Sequence, residues 1–316
     1  MEINGVNNPV PQDKPKKGSV GKAIGGVIAG NAVFNAARRV PAMTINPGIM
    51  EKMKGISSQL TQDQLEIITN ATNKVIDTAG LANKGVGIVR AELANEKNII
   101  EILKKEVGKS KISKLMPQIL KDIFAGNQAN AVVSGNNAFY ASVSKKIVIP
   151  QKGLNLAVFH EAGHAMNANL SIIGSILQKS RGASILALPI LAIGLFKNKK
   201  AEGEKPKNFI DKATDFVKNN AGKLAFATML PTVIEEGLAS FKGHKLAKKL
   251  LSPNLVKKVD KSNLLGLATY ALLAIGTGIG AHFAVKVRDN IVHGKENKNK
   301  PVQESEIKNN GKVKEE

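Results

Sequence analysis

Residues 156–167 read LAVFHEAGHAMN, an apolar run leading into His160, Glu161, Ala162, Gly163 and His164. On a helix, the 3.6-residue repeat sets His160 and His164 one turn apart on a single face. Two imidazole nitrogens at that separation can bind one Zn²⁺, and Glu161 beside the first is placed as general base toward a water that the metal activates. Catalytic zinc takes three protein ligands and leaves a position open, so a third donor is needed downstream. The segment LPTVIEEGLASFKGHK, 230–245, offers Glu235 and Glu236 inside an otherwise apolar helix. Ionisable side chains in that setting need a partner, and a metal ion would serve either carboxylate. The plainer reading is that the pair caps or solvates a helix leaving the core.

The elements that would carry these groups are mostly helical. Leu60, Leu65, Ile67, Ile68, Val75 and Ile76 recur near a 3.6 spacing, as do Val89, Leu93, Ile99, Ile100, Ile102 and Leu103. This periodicity predicts two or three amphipathic helices over 57–124, with a shorter one at 112–124. From Asn127 the run NQANAVVSGNNAFYASVSKKIVIP mixes β-branched residues with Gly and Asn, which predicts short strands, the clearest at 145–150. The fold class expected is therefore mainly α with a small β-sheet.

Charge and hydropathy set the surroundings. The 316-residue chain carries 46 Lys+Arg against 25 Asp+Glu, a formal net charge of +21, and no Cys. Lack of Cys excludes disulfides, thiolate zinc clusters, iron–sulfur centres and a cysteine nucleophile. The positive charge favours an acidic partner, either the anionic face of a membrane or nucleic acid. Residues 1–18 read as a disordered tail and 288–316 as a basic, polar one. The stretch 19–44 reads as an apolar, membrane-proximal helix in which Gly26 and Gly30, like Gly21 and Gly25, are spaced for close helix packing. The uncharged 182–196 is marginal as a membrane span and carries Pro189, a kink site. Residues 224–234 are too short and run into the glutamates. Residues 262–287 are the strongest transmembrane candidate, and their Gly276 and Gly280 suit helix packing.

Taken in order, NAF at 137–139, a short strand, HEAGH at 160–164, an apolar insertion near 182–234 and a Glu-x-x-Ala-Ser element at Glu236, Ala239 and Ser240 resemble a known family. It is that of the membrane-embedded gluzincin metallopeptidases, of the CAAX-prenyl-protease and heat-shock membrane protease type or the bacterial neutral zinc membrane peptidase type. The resemblance covers 137–249. It implies a zincin-like catalytic core with membrane-associated helices, within a metallopeptidase domain over 45–260. It also implies a single Zn²⁺ held by His160, His164 and, as third ligand, Glu236 rather than Glu235. Many members have Asp where this chain has Ser240. That Asp orients a ligand histidine, and losing such a group typically weakens metal affinity or activity about 10- to 100-fold. The strand at 145–150, with Ile147, Val148 and Ile149, corresponds to the edge strand on which an extended substrate adds in such peptidases, and reads equally as a core strand. Tyr140, His244 and Tyr270 are the candidate donors to a transition-state oxyanion, with Ser240 and His244 also placed to support a ligand.

The function expected is a membrane-associated zinc endopeptidase acting on a protein or peptide substrate, with anionic membrane lipids as partners and a site facing the cytoplasm. A non-catalytic membrane protein keeping the zinc fold is the alternative, and Glu161 argues against it because a structural zinc site has no use for a base. A nucleic-acid binder is disfavoured. Lysines are spread along the chain, aromatics are 4%, and no recognised binding motif is present.

Overall fold

The computed structural model describes residues 20–108, 117–200 and 204–294, in a mainly α-helical architecture with one small mixed β-sheet. The tail read at 1–18 lies outside these residues, as does the one at 288–316 from 295 onward.

Chain order begins with α1 (Val20–Val40), a π-helical turn over Pro41–Ile45, and α2 (Asn46–Ser58). Helix α3 (Gln62–Thr78) starts at a capping box: the Thr61 hydroxyl accepts from the Gln64 backbone N–H while the Gln64 side chain accepts from that of Thr61, each at 3.2 Å. Strand β1 (Gly87–Ala91) follows, then α4 (Glu96–Gly108) and α5 (Gln118–Val133). Strands β2 (Phe139–Ala141) and β3 (Lys146–Pro150) lead into α6 (Ala157–Leu170), which carries HEAGH.

Four sequence expectations change here. Residues 127–133, expected as strand, belong to α5. Ala125, Ala129 and Val132 are buried at helical spacing against α4, so the small residues read as punctuation are the packing stripe. Of the shorter helix expected at 112–124, residues 112–116 lie outside the described residues, and from Gln118 the helix runs on to Val133. Val89, counted in a helical stripe, sits in β1, where it pairs in parallel with Val148. That pairing also corrects the reading of 145–150 as an edge strand. The sheet order is β1-β3-β2, with β1 parallel and β2 antiparallel to β3. Ile147 and Val148 thus pair with β1 on one side and β2 on the other, and Ile149 pairs with Arg90 of β1, so β3 is the central strand and not the edge on which a substrate strand would add. Their burial is two-sided: Ile147 and Ile149 pack with α3 and α6 residues, and Val148 packs with α4 and α5.

Beyond α6, helices α7 (Ile172–Ser180) and α8 (Ala187–Phe196) are joined by a 3₁₀ stretch, Arg181–Leu186. Pro189, the expected kink site, occupies the first turn of α8, where a missing N–H breaks no intrahelical bond. After α9 (Phe209–Asn219), α10 (Ala221–Leu250) runs as one 30-residue helix through Pro231, and α11 (Pro253–His293) is 41 residues long. Three segments are long and apolar enough to cross a membrane, namely Ile172–Phe196, Ala221–Leu250 and Pro253–His293. Residues 224–234 thus belong to a longer apolar segment than their own length suggests. At 1.5 Å per residue α11 spans about 60 Å, twice a hydrocarbon core of about 30 Å, and its first turns bury Leu255, Val256 and Val259 in the α3–α6–β3 core.

Helix α1 lies along α11 on a seam of small residues. A Cβ on Gly30 would meet the Ala284 carbonyl oxygen at 2.7 Å, and one on Gly276 the Ala37 oxygen at 2.7 Å. A Cβ on Gly26 would lie 3.2 Å from the Arg288 oxygen, whereas Gly21 and Gly25 face open space. The sequence-level glycine pairs at 26/30 and 276/280 are therefore two sides of one contact. Gly30→Leu and Gly276→Leu should each destabilise the fold by about 1–3 kcal/mol through overpacking. Gly21→Ala should leave it unchanged or up to about 1 kcal/mol more stable, by helix propensity. Thermal unfolding in detergent checks both, and equal effects at positions 21 and 276 would refute the seam.

Candidate metal centre

The site is built where α6 crosses α10. Small residues make the crossing close: a Cβ on Gly163 would fall 2.0 Å from the Ala239 carbonyl oxygen, and one on Gly243 would fall 2.6 Å from that of Phe159. Glu236, Ala239, Ser240 and Gly243 share one face of α10 at i, i+3, i+4 and i+7, as His160, Gly163, His164 and Asn167 do on α6. With the backbones this near, short histidine and glutamate side chains can meet between them.

They converge on one point. His160 Nε2 lies 3.0 Å from His164 Nε2 and 3.0 Å from Glu236 Oε2, and His164 Nε2 lies 3.4 Å from the same carboxylate oxygen. One donor atom from each of His160, His164 and Glu236 falls within 4.8 Å of the others, an arrangement that could hold a metal ion. The spacing fits. Donors about 2.0–2.1 Å from a tetrahedral zinc stand about 3.3 Å apart. Converging lone pairs also repel one another unless a cation sits among them. His164 registers that demand: burial opposes its charge, yet the hydrogen bonds to Glu235 and Glu236 outweigh burial and push its pKa up to about 10.

A second layer fixes the donors. Ser240 Oγ lies 3.2 Å from His160 Nδ1, and Glu235 Oε1 lies 2.8 Å from His164 Nδ1. Both ring contacts are made through Nδ1, which leaves Nε2 of each histidine directed at the shared point. Glu235 is held in turn by Asn167 Nδ2, which donates at 3.0 Å, and by Arg181 Nη1, which donates at 3.1 Å. Arg181 Nη2 stands 2.7 Å from Glu236 Oε1, an ion pair without hydrogen-bond alignment. Both glutamates are fully buried. The sequence reading left Glu235 without a role and did not consider Asn167 or Arg181. Asn167, one further turn along the HEAGH face, was the signal available.

Glu161 is not in the donor cluster. It lines, with His160, a cavity of about 180 Å³ bounded by Met50 and Met53 of α2 and by Asn263 and Tyr270 of α11. Burial pushes its carboxyl above the usual carboxylate range, while the flanking histidines act in the opposite direction. Of the candidate oxyanion donors, Tyr270 lines this cavity, with Arg181 over its ring at 5.8 Å. Tyr140 does not. Its hydroxyl accepts from Asn169 at 2.8 Å in a different cavity, and burial raises its pKa. His244 does not either, since its Nδ1 lies 2.7 Å from Asp260 Oδ1. The Asn263 amide nitrogen, buried and without a hydrogen-bond partner, lines the same cavity as Glu161, a feature no sequence motif marks.

No family model, curated protein or solved structure matches the chain. What the site can do is therefore argued from its own geometry.

Two neighbouring carboxylates separate the roles. Glu236→Gln should abolish stoichiometric metal binding, because it removes the anionic donor. Glu235→Gln should keep the metal with affinity lowered about 10- to 100-fold, because it loosens His164 and leaves the donor set intact. Metal analysis and competitive chelator titration of detergent-purified protein check this. Retention by Glu236→Gln with loss by Glu235→Gln would reverse the assignment.

Proposed function

We propose that this chain is a membrane-associated, zinc-dependent endopeptidase with a zincin-like core. The observation that carries the reading is the convergence of His160 Nε2, His164 Nε2 and Glu236 Oε2, with Glu161, a carboxylate outside the donor set, on the wall of the adjoining cavity. A His₂Glu set suits catalytic zinc, and a site with structural duties alone would have no use for the extra carboxylate.

Zinc at these ligands supplies a Lewis acid and lowers the pKa of a water toward ~7. The protein does the rest. Glu161 accepts the proton of the attacking water on its carboxylate and later delivers it to the leaving amine nitrogen. Its buried position keeps that proton from exchanging with bulk solvent during the cycle. Ser240 and Glu235 hold the histidine rings in register. Tyr270, and beside it the amide of Asn263, are donors available to negative charge developing on the substrate carbonyl oxygen.

Substrate reaches this chemistry along β2 on this reading. β2 pairs with β3 on one side and has no second strand neighbour among the described residues, and Asn137 and Ala138, just before it, line the Glu161 cavity. An extended peptide added to that edge gains main-chain hydrogen bonds and enters the cavity beside His160. Membrane association rests on the three apolar segments, and exposure of the site to the cytoplasm accords with the lack of Cys.

Glu161→Gln should leave metal content at the wild-type level and lower proteolysis of casein or a membrane-protein substrate by at least about 10²- to 10⁴-fold. Tyr270→Phe should also retain metal, with kcat reduced about 10²- to 10³-fold. A Glu161→Gln protein that cleaves as fast as wild type would sink the peptidase reading.

A further inference from the structure

Away from the metal centre, the ends of all three apolar segments meet: α8 ends at Phe196, α10 begins at Ala221 and α11 ends at His293. Two cavities open at this level. The first, of about 400 Å³, is lined by Lys199, Lys218, Lys286, His282 and His293, with Asp289 as the acidic residue. Asp289 is already engaged, since it accepts from Lys218 Nζ at 2.7 Å and from Arg288 Nη1 at 2.9 Å. Lys218 is 5% exposed, and its ammonium also donates to the Lys197 carbonyl at 2.9 Å. Burial holds its pKa below the usual lysine value, and the Arg288 and Lys199 charges act in the same direction, against Asp289. Three lysines and two histidines thus line one cavity together with one aspartate.

The second cavity, of about 390 Å³, continues from the first and shares Gly222 and His282 with it. Its walls are Phe226, Ile275, Ile279 and Phe283. Ile275, Ile279 and Phe283 are 47–49% exposed, although they lie on an apolar segment long enough to be in a bilayer. The groove exists because α10 and α11 touch at glycines: a Cβ on Gly222 would meet His282 Cβ at 2.8 Å, and one on Gly278 would meet Phe226 Cβ at 2.9 Å.

We propose that these cavities form one binding site for an anionic phospholipid, its phosphate seated among Lys199, Lys218 and Lys286 and an acyl chain lying in the groove between Phe226 and Ile279. The two linings together select the occupant. A soluble phosphate ester would use the basic cavity alone, and a neutral lipid the groove alone, but the two are continuous and lie at the level where a headgroup meets hydrocarbon. The inference rests on the chain being membrane-inserted and is independent of the peptidase reading.

The test uses the full-length protein in detergent, with phosphatidylglycerol, phosphatidylcholine, and deacylated glycerophosphoglycerol as probes. Native mass spectrometry reads lipid retention, and thermal unfolding reads stabilisation by whatever binds the folded state. Phosphatidylglycerol should be retained in preference to phosphatidylcholine and should raise the unfolding temperature, and the deacylated headgroup should not displace it. Lys199→Gln/Lys286→Gln should reduce that preference on the order of tenfold. Ile279→Trp, which fills the groove, should weaken retention of both lipids. Zinc content should stay at wild-type level in both variants, which separates this proposal from the metal centre. Equal retention of the two lipids would overturn it, as would displacement by the headgroup alone. So would a preference unchanged in a double variant that unfolds at the wild-type temperature, or, should the double variant fail to fold, retention of both lipids unchanged in Ile279→Trp.

Discussion

Everything at the metal centre depends on one close approach, the backbone of α6 at Gly163 against the backbone of α10 at Ala239. With no side chain at 163, the two helices come near enough for His160 Nε2 and Glu236 Oε2 to stand 3.0 Å apart. A residue with a Cβ there would drive the helices apart by the width of a methyl group or more. The donors would then separate, since histidine and glutamate have little reach left to follow. The glycine inside HEAGH and the alanine of the Glu-x-x-Ala-Ser element are therefore a matched pair, as necessary to the site as the donor groups themselves.

The close approach also concentrates charge. Glu161, Glu235 and Glu236 are all buried, and Arg181 is the cation paired with the latter two. Three buried carboxylates stand here against one guanidinium and two imidazoles, an arrangement rich in negative charge. Burying such an imbalance without a counter-ion is costly, which suits a donor group that could hold a metal ion. The 3₁₀ stretch between α7 and α8 belongs to the same design, because its first residue, Arg181, places its guanidinium on both glutamates.

How much was legible in the sequence follows from how local each signal is. The His160–His164 spacing is set within one helix turn, and helix α6 carries it as read. The apolar character of α10 and α11 was visible for the same reason, although Pro231 and the glutamates disguised how far α10 extends. Readings failed where the partner lies far along the chain. Whether β3 is an edge or a centre is decided by β1, some sixty residues upstream in the register Ile88↔Ile147. The α5 stripe of alanines is weakly apolar, so Gly and Asn between them dominated the pattern. Glu235 could not be told from Glu236 by composition. Successive helix positions point about 100° apart, and only the placement of α6 shows that one faces the donor cluster while the other reaches His164 from behind.

The single long rise of α10 has a further consequence. Ala221 opens the helix beside the basic cavity, and Glu236 lies fifteen residues on, about 22 Å along the axis. The helix runs unbroken through the proline at 231, so the candidate metal centre is held at a fixed distance from the basic cavity that we propose seats a lipid headgroup. On the peptidase reading, an anchored substrate is then sorted by geometry before it is sorted by side chain. The peptide bonds that can be reached are those lying at one set distance from the membrane surface, and α10 acts as the ruler that measures it.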